Sequence, residues 1–285
     1  MTPLRVEAPA KLNLRLAVTG RRPDGYHTLD SDLVLLELAD NLLLMPGCSG
    51  LRVEAPASED VPRTPATNLA WHGLVAGLGE EPSMACLALE KRIPAAAGLG
   101  GGSSDAAAAW RLGRRWRGEG DDVARDTATL HELSRIGADV PFFAAAVVAA
   151  RVSGIGEEVR RSDLPMAGAE VVLVHPPFQL STAAVFAELR PGDWSGDAVT
   201  DGNDLLAPAR RLRPELDDVM RLVAGAGAEP RLTGSGPTVY ARCDDTERAD
   251  ALVARLGNVG LRATRTRLRR EPARIEAVSD EEELG

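Results

Sequence analysis

Lysine is almost absent from this 285-residue chain: among 33 basic residues only Lys11 and Lys91 are lysines, and the rest are arginines. Arginine is a planar fork that stays charged, whereas lysine is a compact point charge that fits a crowded site beside a phosphate, so Lys11 stands out as a candidate for chemistry. Cysteine is scarce as well. Cys48, Cys86 and Cys243 are widely spaced, odd in number and without a CxxC pair, which suggests neither a disulfide framework nor a zinc site and points to a reducing compartment. The histidines, His27, His72, His131 and His175, show no HExxH-like spacing and are poor metal-ligand candidates. Long apolar runs are missing: the longest, around Val140 to Ala150, is too short to span a bilayer, and Met1 to Glu7 lacks a basic segment followed by an apolar stretch. A cytoplasmic protein is expected. Positive charge is outnumbered, and a net charge of −9 argues against non-specific binding to nucleic acid or to an anionic membrane surface. An anionic small-molecule ligand must then be held by local groups.

What the chain does have is glycine in one dense run. Pro94-Ala95-Ala96-Ala97-Gly98-Leu99-Gly100-Gly101-Gly102-Ser103-Ser104 places four glycines within five residues, removing the Cβ atoms that keep a bulky anion away from backbone amides. Ser103, Ser104 or Asp105 can cap the alanine-rich helix that follows, and its positive end then faces whatever the loop encloses. The loop reads as a phosphate cradle. It is not a Walker loop, which needs Gly-Lys-Ser/Thr, nor a Rossmann fingerprint, because Ser103 falls where the third glycine belongs.

The alternation of Leu4 to Ala8 and Leu12 to Val18, and the apolar run Leu33 to Leu38, predict antiparallel strands around the turn-rich Gly20 to Gly25. Asn41 to Met45, Leu51 to Ala55 and Ala85 to Ile93 predict further strands, Pro56 to Pro65 a surface loop, and Asn68 to Leu78, Ser104 to Arg117 and Val123 to Ser134 helices. Gly137 to Phe143 breaks the pattern and carries a lone acid, Asp139. Gly154-Ile155-Gly156-Glu157 marks a domain junction. Beyond it, strands at Glu170 to His175, Val239 to Cys243 and Leu261 to Leu268 alternate with helices at Thr182 to Leu189, Pro214 to Ala224 and Glu247 to Leu256, and a second glycine turn spans Leu232 to Thr238. Two domains are expected, 1–155 and 156–270, followed by an acidic tail, 271–285, that frays.

Four segments share one explanation: Pro9-Ala10-Lys11-Leu12-Asn13-Leu14, the Pro94 to Ser104 loop, Gly137-Ala138-Asp139-Val140-Pro141 and Leu232-Thr233-Gly234-Ser235-Gly236. In order and spacing they resemble the GHMP kinases, a superfamily of galactose, homoserine, mevalonate and phosphomevalonate kinases. Gly20-Arg21-Arg22-Pro23-Asp24-Gly25-Tyr26-His27-Thr28-Leu29 is similar to the signature of the branch that phosphorylates a cytidine diphosphate-linked methylerythritol in non-mevalonate isoprenoid synthesis. Further agreement comes from Ser181-Thr182 with Phe186 and from Asn203-Asp204-Leu205. Two departures stand out: Ala95-Ala96-Ala97 where the family often has Met-Gly-Ala, and His72-Gly73 where it usually has a basic residue and alanine.

The resemblance implies an α+β, two-domain GHMP kinase fold: an N-terminal nucleotide-binding α/β domain with a mixed sheet and a C-terminal ferredoxin-like α+β domain. It implies ATP held by residues 94–104 with Asn68 beside the adenine, magnesium arriving on ATP and touched by the Ser103 or Ser104 hydroxyl, and Asp139 with Lys11 at the acceptor hydroxyl. A free aspartate, with a pKa of ~3.9, is a weak base toward an alcohol, so the proton moves late in the transfer. Asn13 shares a strand face with Lys11 and could bind the acceptor polyol. Tyr26, His27 and Phe186 are the expected cytidine contacts by stacking and polar recognition. Two alternatives remain open: a homoserine- or mevalonate-type kinase of the same superfamily, and a non-catalytic nucleotide sensor, against which the presence of both Lys11 and Asp139 argues.

Overall fold

Two long antiparallel strands organise the first half of the molecule. In the computed structural model, which describes residues 2–55, 60–120, 126–163, 167–196 and 202–278, β1 (Leu4–Arg21) runs against β2 (His27–Pro46) from the pair Leu4 and Leu44 to the pair Arg21 and His27. The sequence pattern splits each of these into shorter strands because the ladder slips at Pro9/Lys11, Asn13/Arg15 and Val18/Gly20. Pro9 has no N–H to donate, and each slip resets the apolar alternation while the strand continues. β3 (Gly50–Glu54) lies parallel to β4 (Ala85–Glu90), β4 is antiparallel to β2, and β5 (Ala149–Gly154) and β6 (Glu158–Arg161) extend from the other end of β2. The sheet is mixed, as expected.

α1 (Leu69–Leu78) and α2 (Gly101–Trp116) pack on it, burying Trp71, Leu74, Ala108, Ala109 and Leu112 against Leu42, Leu44, Leu87 and Leu89. They touch backbone to backbone: a Cβ on Gly73 would come within 2.0 Å of the Ala106 carbonyl oxygen. That contact explains the glycine of the His72-Gly73 departure. α3 (Thr127–Ser134) and α4 (Val140–Ala144) close the other end of the sheet; the part of the expected helix at 123–125 lies outside the described residues, as do Pro56 to Glu59 of the expected loop.

The second half builds β7 (Glu170–His175), α5 (Thr182–Ala187), α6 (Leu206–Leu212), α7 (Glu215–Gly225), β8 (Arg231–Leu232), β9 (Val239–Cys243), α8 (Thr246–Asn258) and β10 (Arg262–Arg267). Its antiparallel sheet has the order β10-β7-β9-β8, the ferredoxin-like arrangement. Strand β1 serves both halves. Leu16 and Val18 sit in the second core with Val172, Val174 and Leu232, and the Val18 N–H donates to Asp204 Oδ2 at 2.7 Å.

Three expectations are corrected. Gly154 to Glu157 is the hairpin turn between β5 and β6, so the first sheet runs on to Arg161. The segment from 271 is not a free tail: β11 (Glu276–Ala277) pairs with Leu4 and Arg5, Ala273 and Val278 are buried, and Arg111 Nη1 donates to the Ala273 carbonyl at 3.0 Å. The fraying expected for Ser279 to Gly285 falls outside the described residues. Cys48 and Cys86 form a disulfide that spans 38 residues, which removes the cysteine-based argument for a reducing compartment; Cys243 is free. Sequence spacing could not reveal the pair, because it joins the turn after β2 to the neighbouring strand β4.

Cross-linking a loop of this length restricts the unfolded chain, so reduction or Cys48→Ala should lower stability by about 2–4 kcal/mol. Urea unfolding with and without reductant measures this, and the Cys48→Ala protein should show no response to reductant.

Candidate active site

The glycine run starts α2 earlier than its serines suggest. Gly100, with φ of 72°, is the N-cap residue and no side chain caps the helix, so Ser103 to Asp105 lie inside the first turns. The loop packs over β1, where the Lys11 N–H donates to the Leu99 carbonyl at 3.0 Å. On its other side sits the second glycine turn: a Cβ on Gly98 would come within 2.7 Å of the Thr233 carbonyl oxygen, so the two turns meet backbone to backbone. Ala96 is a non-glycine residue in the left-handed region, at φ of 51°, in the position where the resemblance expects glycine.

Between the two halves lies a cavity of about 560 Å³. Pro94 to Ser103, Lys11, Asn13, Asn68, Asp139 and Phe186 line it, together with Thr182 and, from the second glycine turn, Gly234 and Ser235. Lys11 is 4 % exposed, and its ammonium stands 3.6 Å from Asp139 Oδ2, whose side chain is 35 % exposed. Asp139 occupies the N-cap position of α4 without capping it, which leaves its carboxylate free for the cavity. Ser103 faces Gly137, whose Cβ would lie 3.2 Å from its Oγ, whereas Ser104 is buried beneath the wall with its hydroxyl unpartnered.

Asn13 is tied into the wall by its neighbours. It lines the cavity, but Oδ1 accepts from Lys11 Nζ at 2.6 Å and the Gly234 N–H at 2.9 Å, and Nδ2 donates to Ser31 Oγ at 2.8 Å. Its amide holds Lys11 and the second glycine turn in place. Asn68 is engaged in a similar way: Oδ1 caps α1 through the Ala70 N–H at 2.9 Å and Nδ2 donates to the Pro62 carbonyl at 2.6 Å.

The expected aromatic set is only partly gathered. His27 stacks on Phe186 with ring centroids 5.6 Å apart, and burial, then Arg21, holds its pKa below the ordinary histidine value, so the ring is neutral. Tyr26, 64 % exposed in its turn, lines no part of the cavity. Trp194, absent from the sequence reading, meets His27 edge-on at 5.8 Å; its scarcity in the chain was the available signal. Asp204 fixes the segment beside it by accepting from the Ser195 N–H at 2.8 Å and from the Ser195 hydroxyl.

A mixed sheet, a ferredoxin-like second half and a glycine loop over a Lys-Asp pair define a small-molecule kinase of the GHMP class. Family models agree: residues 68–147 match the GHMP kinases N terminal domain and residues 185–260 match GHMP kinases C terminal. The chain is 38% identical over 278 residues to the 4-diphosphocytidyl-2-C-methyl-D-erythritol kinase of Dinoroseobacter shibae, covering 87% of this chain and 88% of that one. It is 37% identical to the protein of the same name from Rhodopseudomonas palustris, covering 88% and 93%. A crystal structure of 4-(cytidine 5'-diphospho)-2C-methyl-D-erythritol kinase, 31% identical, superimposes with a TM-score of 0.74 over 93% of this chain and 98% of that one. The chain belongs to the 4-diphosphocytidyl-2-C-methyl-D-erythritol kinase family.

The left-handed Ala96 carries strain of roughly 1 kcal/mol that glycine would not, partly offset by glycine's greater freedom when unfolded. Ala96→Gly should therefore leave stability unchanged or raise it by up to about 1 kcal/mol, whereas Ala107→Gly inside α2 should lose at least about 1 kcal/mol. Urea unfolding of the two variants provides the comparison.

Proposed function

We propose that this chain transfers the γ-phosphoryl group of ATP directly to the 2-hydroxyl of 4-diphosphocytidyl-2-C-methyl-D-erythritol. The observation that carries the reading is the Lys11-Asp139 pair at 3.6 Å, set in the wall of the cavity that the glycine loop overhangs. Phosphoryl transfer needs alignment of the attacking and leaving oxygens and stabilisation of spreading negative charge, with little covalent work by the protein. In this reading the amides of Gly98 to Ser103 and the N-terminus of α2 hold the phosphates. Lys11, kept in one rotamer by Asn13, neutralises charge between the transferring group and Asp139. Asp139 accepts the hydrogen bond of the acceptor hydroxyl and takes its proton late.

Magnesium enters as part of the nucleotide. Among the described residues no group of three or more His, Cys, Asp or Glu side chains is placed to hold a metal, and magnesium characteristically uses few protein oxygens and several from phosphate and water. Ser103, which faces the cavity, suits that single contact better than the buried Ser104. The cytidine end is assigned to His27 and Phe186, with Tyr26 as a further partner from the exposed turn, so the acceptor is held from both halves of the molecule. Among the described residues no helix is long and apolar enough to cross a membrane; dependence on ATP supports a cytoplasmic setting for the proposed activity.

Purified protein with Mg-ATP should release ADP on the cytidine-linked polyol and not on homoserine or mevalonate; the reverse pattern would overturn the assignment. Asp139→Asn should lower kcat by about 10²–10⁴-fold with nucleotide affinity retained. Lys11→Arg should also be impaired, because a Cβ on Gly234 would already lie 3.2 Å from the ammonium and a guanidinium does not fit. Full activity in either variant, measured in steady state, would remove that residue from the mechanism.

A further inference from the structure

A second cavity, of about 300 Å³, lies behind the glycine loop and has no task in the phosphoryl-transfer reading. Pro94 to Ala97 form the partition: they line both this cavity and the one that holds Lys11 and Asp139. Facing the partition, β10, β7 and β9 supply a row of polar side chains, Arg262, His175 and Thr238. Arg262 is the ladder partner of His175, and the pairing of Val174 with Val239 carries the register on to His175 and Thr238. Leu173 and Tyr240, each two residues from this row on the same strands, pack with Ala97 and Leu99, so the row lies on the face turned toward the loop.

The walls are apolar and stiff. Pro94, Pro176, Pro177 and Pro237 contribute rings and no backbone N–H, and Phe178 adds an aromatic face. The polar groups are left over. Thr238, 1 % exposed, has a buried hydroxyl with no hydrogen-bond partner, and the buried Nδ1 of His175 has none either. Burial, then Arg262, brings the His175 pKa down to about 4, so the ring is neutral. Arg265 and Arg267 on the same strand both pair with Glu170, whereas Arg262 pairs with no carboxylate among the described residues. Arg213 is taken up by the Phe178 ring, 5.8 Å away, and by the Gln179 carbonyl at 3.4 Å. In a chain with 42 acidic residues, none of the described side chains lining this cavity is acidic, so it favours a negatively charged guest.

We propose that this cavity is a second ligand site, which takes a small organic carboxylate with a flat apolar body, and that its occupant tightens the hold of the glycine loop on ATP. The Arg262 guanidinium is a planar fork that meets a carboxylate with paired hydrogen bonds, and the proline and Phe178 surfaces take the body. One unpaired guanidinium beside a neutral imidazole matches a single negative charge better than a phosphate dianion. The volume suits a ligand at the small end of the range for such sites. The coupling rests on the reading of this loop as the ATP site; the site itself does not. Ala96 sits in the partition at φ of 51°, a conformation that persists only where its surroundings hold it. An occupant packed behind it favours the shape in which the front of the loop lines the ATP cavity. Gln179 supplies a further link, since its amide donates at 2.8 Å to Asp60 in the wall of that cavity. ATP must then favour the occupant by the same factor.

The test uses 1-naphthoate as the probe and 1-naphthylmethanol as its uncharged counterpart, titrated calorimetrically into the whole protein with and without a saturating non-hydrolysable ATP analogue. Naphthoate should bind once per chain with a Kd of about a millimolar or tighter, and the alcohol at least about ten-fold more weakly. Arg262→Gln, a change of an exposed side chain at the start of β10, should weaken naphthoate about ten-fold and leave the affinity for the analogue alone unchanged. With naphthoate present the analogue should bind wild type about three- to ten-fold more tightly, and Arg262→Gln by a smaller factor. Equal affinity for naphthoate and the alcohol, naphthoate binding indifferent to Arg262→Gln, or displacement of naphthoate by the analogue would overturn the site. Analogue binding that is absent, unchanged or weakened by naphthoate would overturn the coupling. Protein that meets every expectation here but phosphorylates no cytidine-linked polyol would defeat the proposed function and leave this inference standing.

Discussion

The buried amide of Asn13 is the interaction on which the arrangement of the site depends. Through one oxygen it sets the position of the Lys11 ammonium and of the Gly234 N–H, and through its nitrogen it ties β1 to Ser31 of β2. The backbone joins in, since the Asn13 N–H donates to Thr233 Oγ1 at 3.1 Å and its carbonyl accepts from the Tyr240 hydroxyl at 3.2 Å. Each group left unsatisfied in such a place costs about 1–3 kcal/mol, so moving the second half of the molecule away from the first means breaking the network as a unit. The position of Lys11 and the closure of the cavity are therefore one structural decision.

That coupling also marks where the sequence is legible. Lys11, the glycine run and the lone Asp139 can be picked out because each is a local anomaly: a rare residue type, a dense cluster, an acid in a breaker. Strand alternation places Asn13 correctly on the face of Lys11, yet its hydrogen-bond partners sit on the Thr233-Gly234 turn, far along the chain, and no local pattern announces them. The ferredoxin-like half is readable element by element because Glu170–His175 and Val239–Cys243 are short, uninterrupted apolar strands. The long β1 and β2 are not, because their bulges break the alternation that a reader follows.

The aromatic side chains around Phe186 show a different economy of residues. In a chain with four phenylalanines, two tyrosines and four tryptophans, Trp194 meets His27 and His27 stacks on Phe186, which lines the cavity, and Asp204 and Arg211 brace the segment that carries Trp194. Burial and then Arg21 favour the uncharged form of the His27 imidazole between these two rings.

Strand β11 pairs with the opposite end of the polypeptide, Leu4 facing Ala277 and Arg5 facing Glu276. The strand that carries Lys11 is thus paired on both edges at Leu4 and Arg5. Joining these neighbouring strands and reopening the chain at the polar connection Gly118 to Gly120 would give a circular permutant in which both sheets, the glycine loop and strand β1 remain uninterrupted. The order in which the polypeptide is synthesised is, for this architecture, separable from the order in which its site is built.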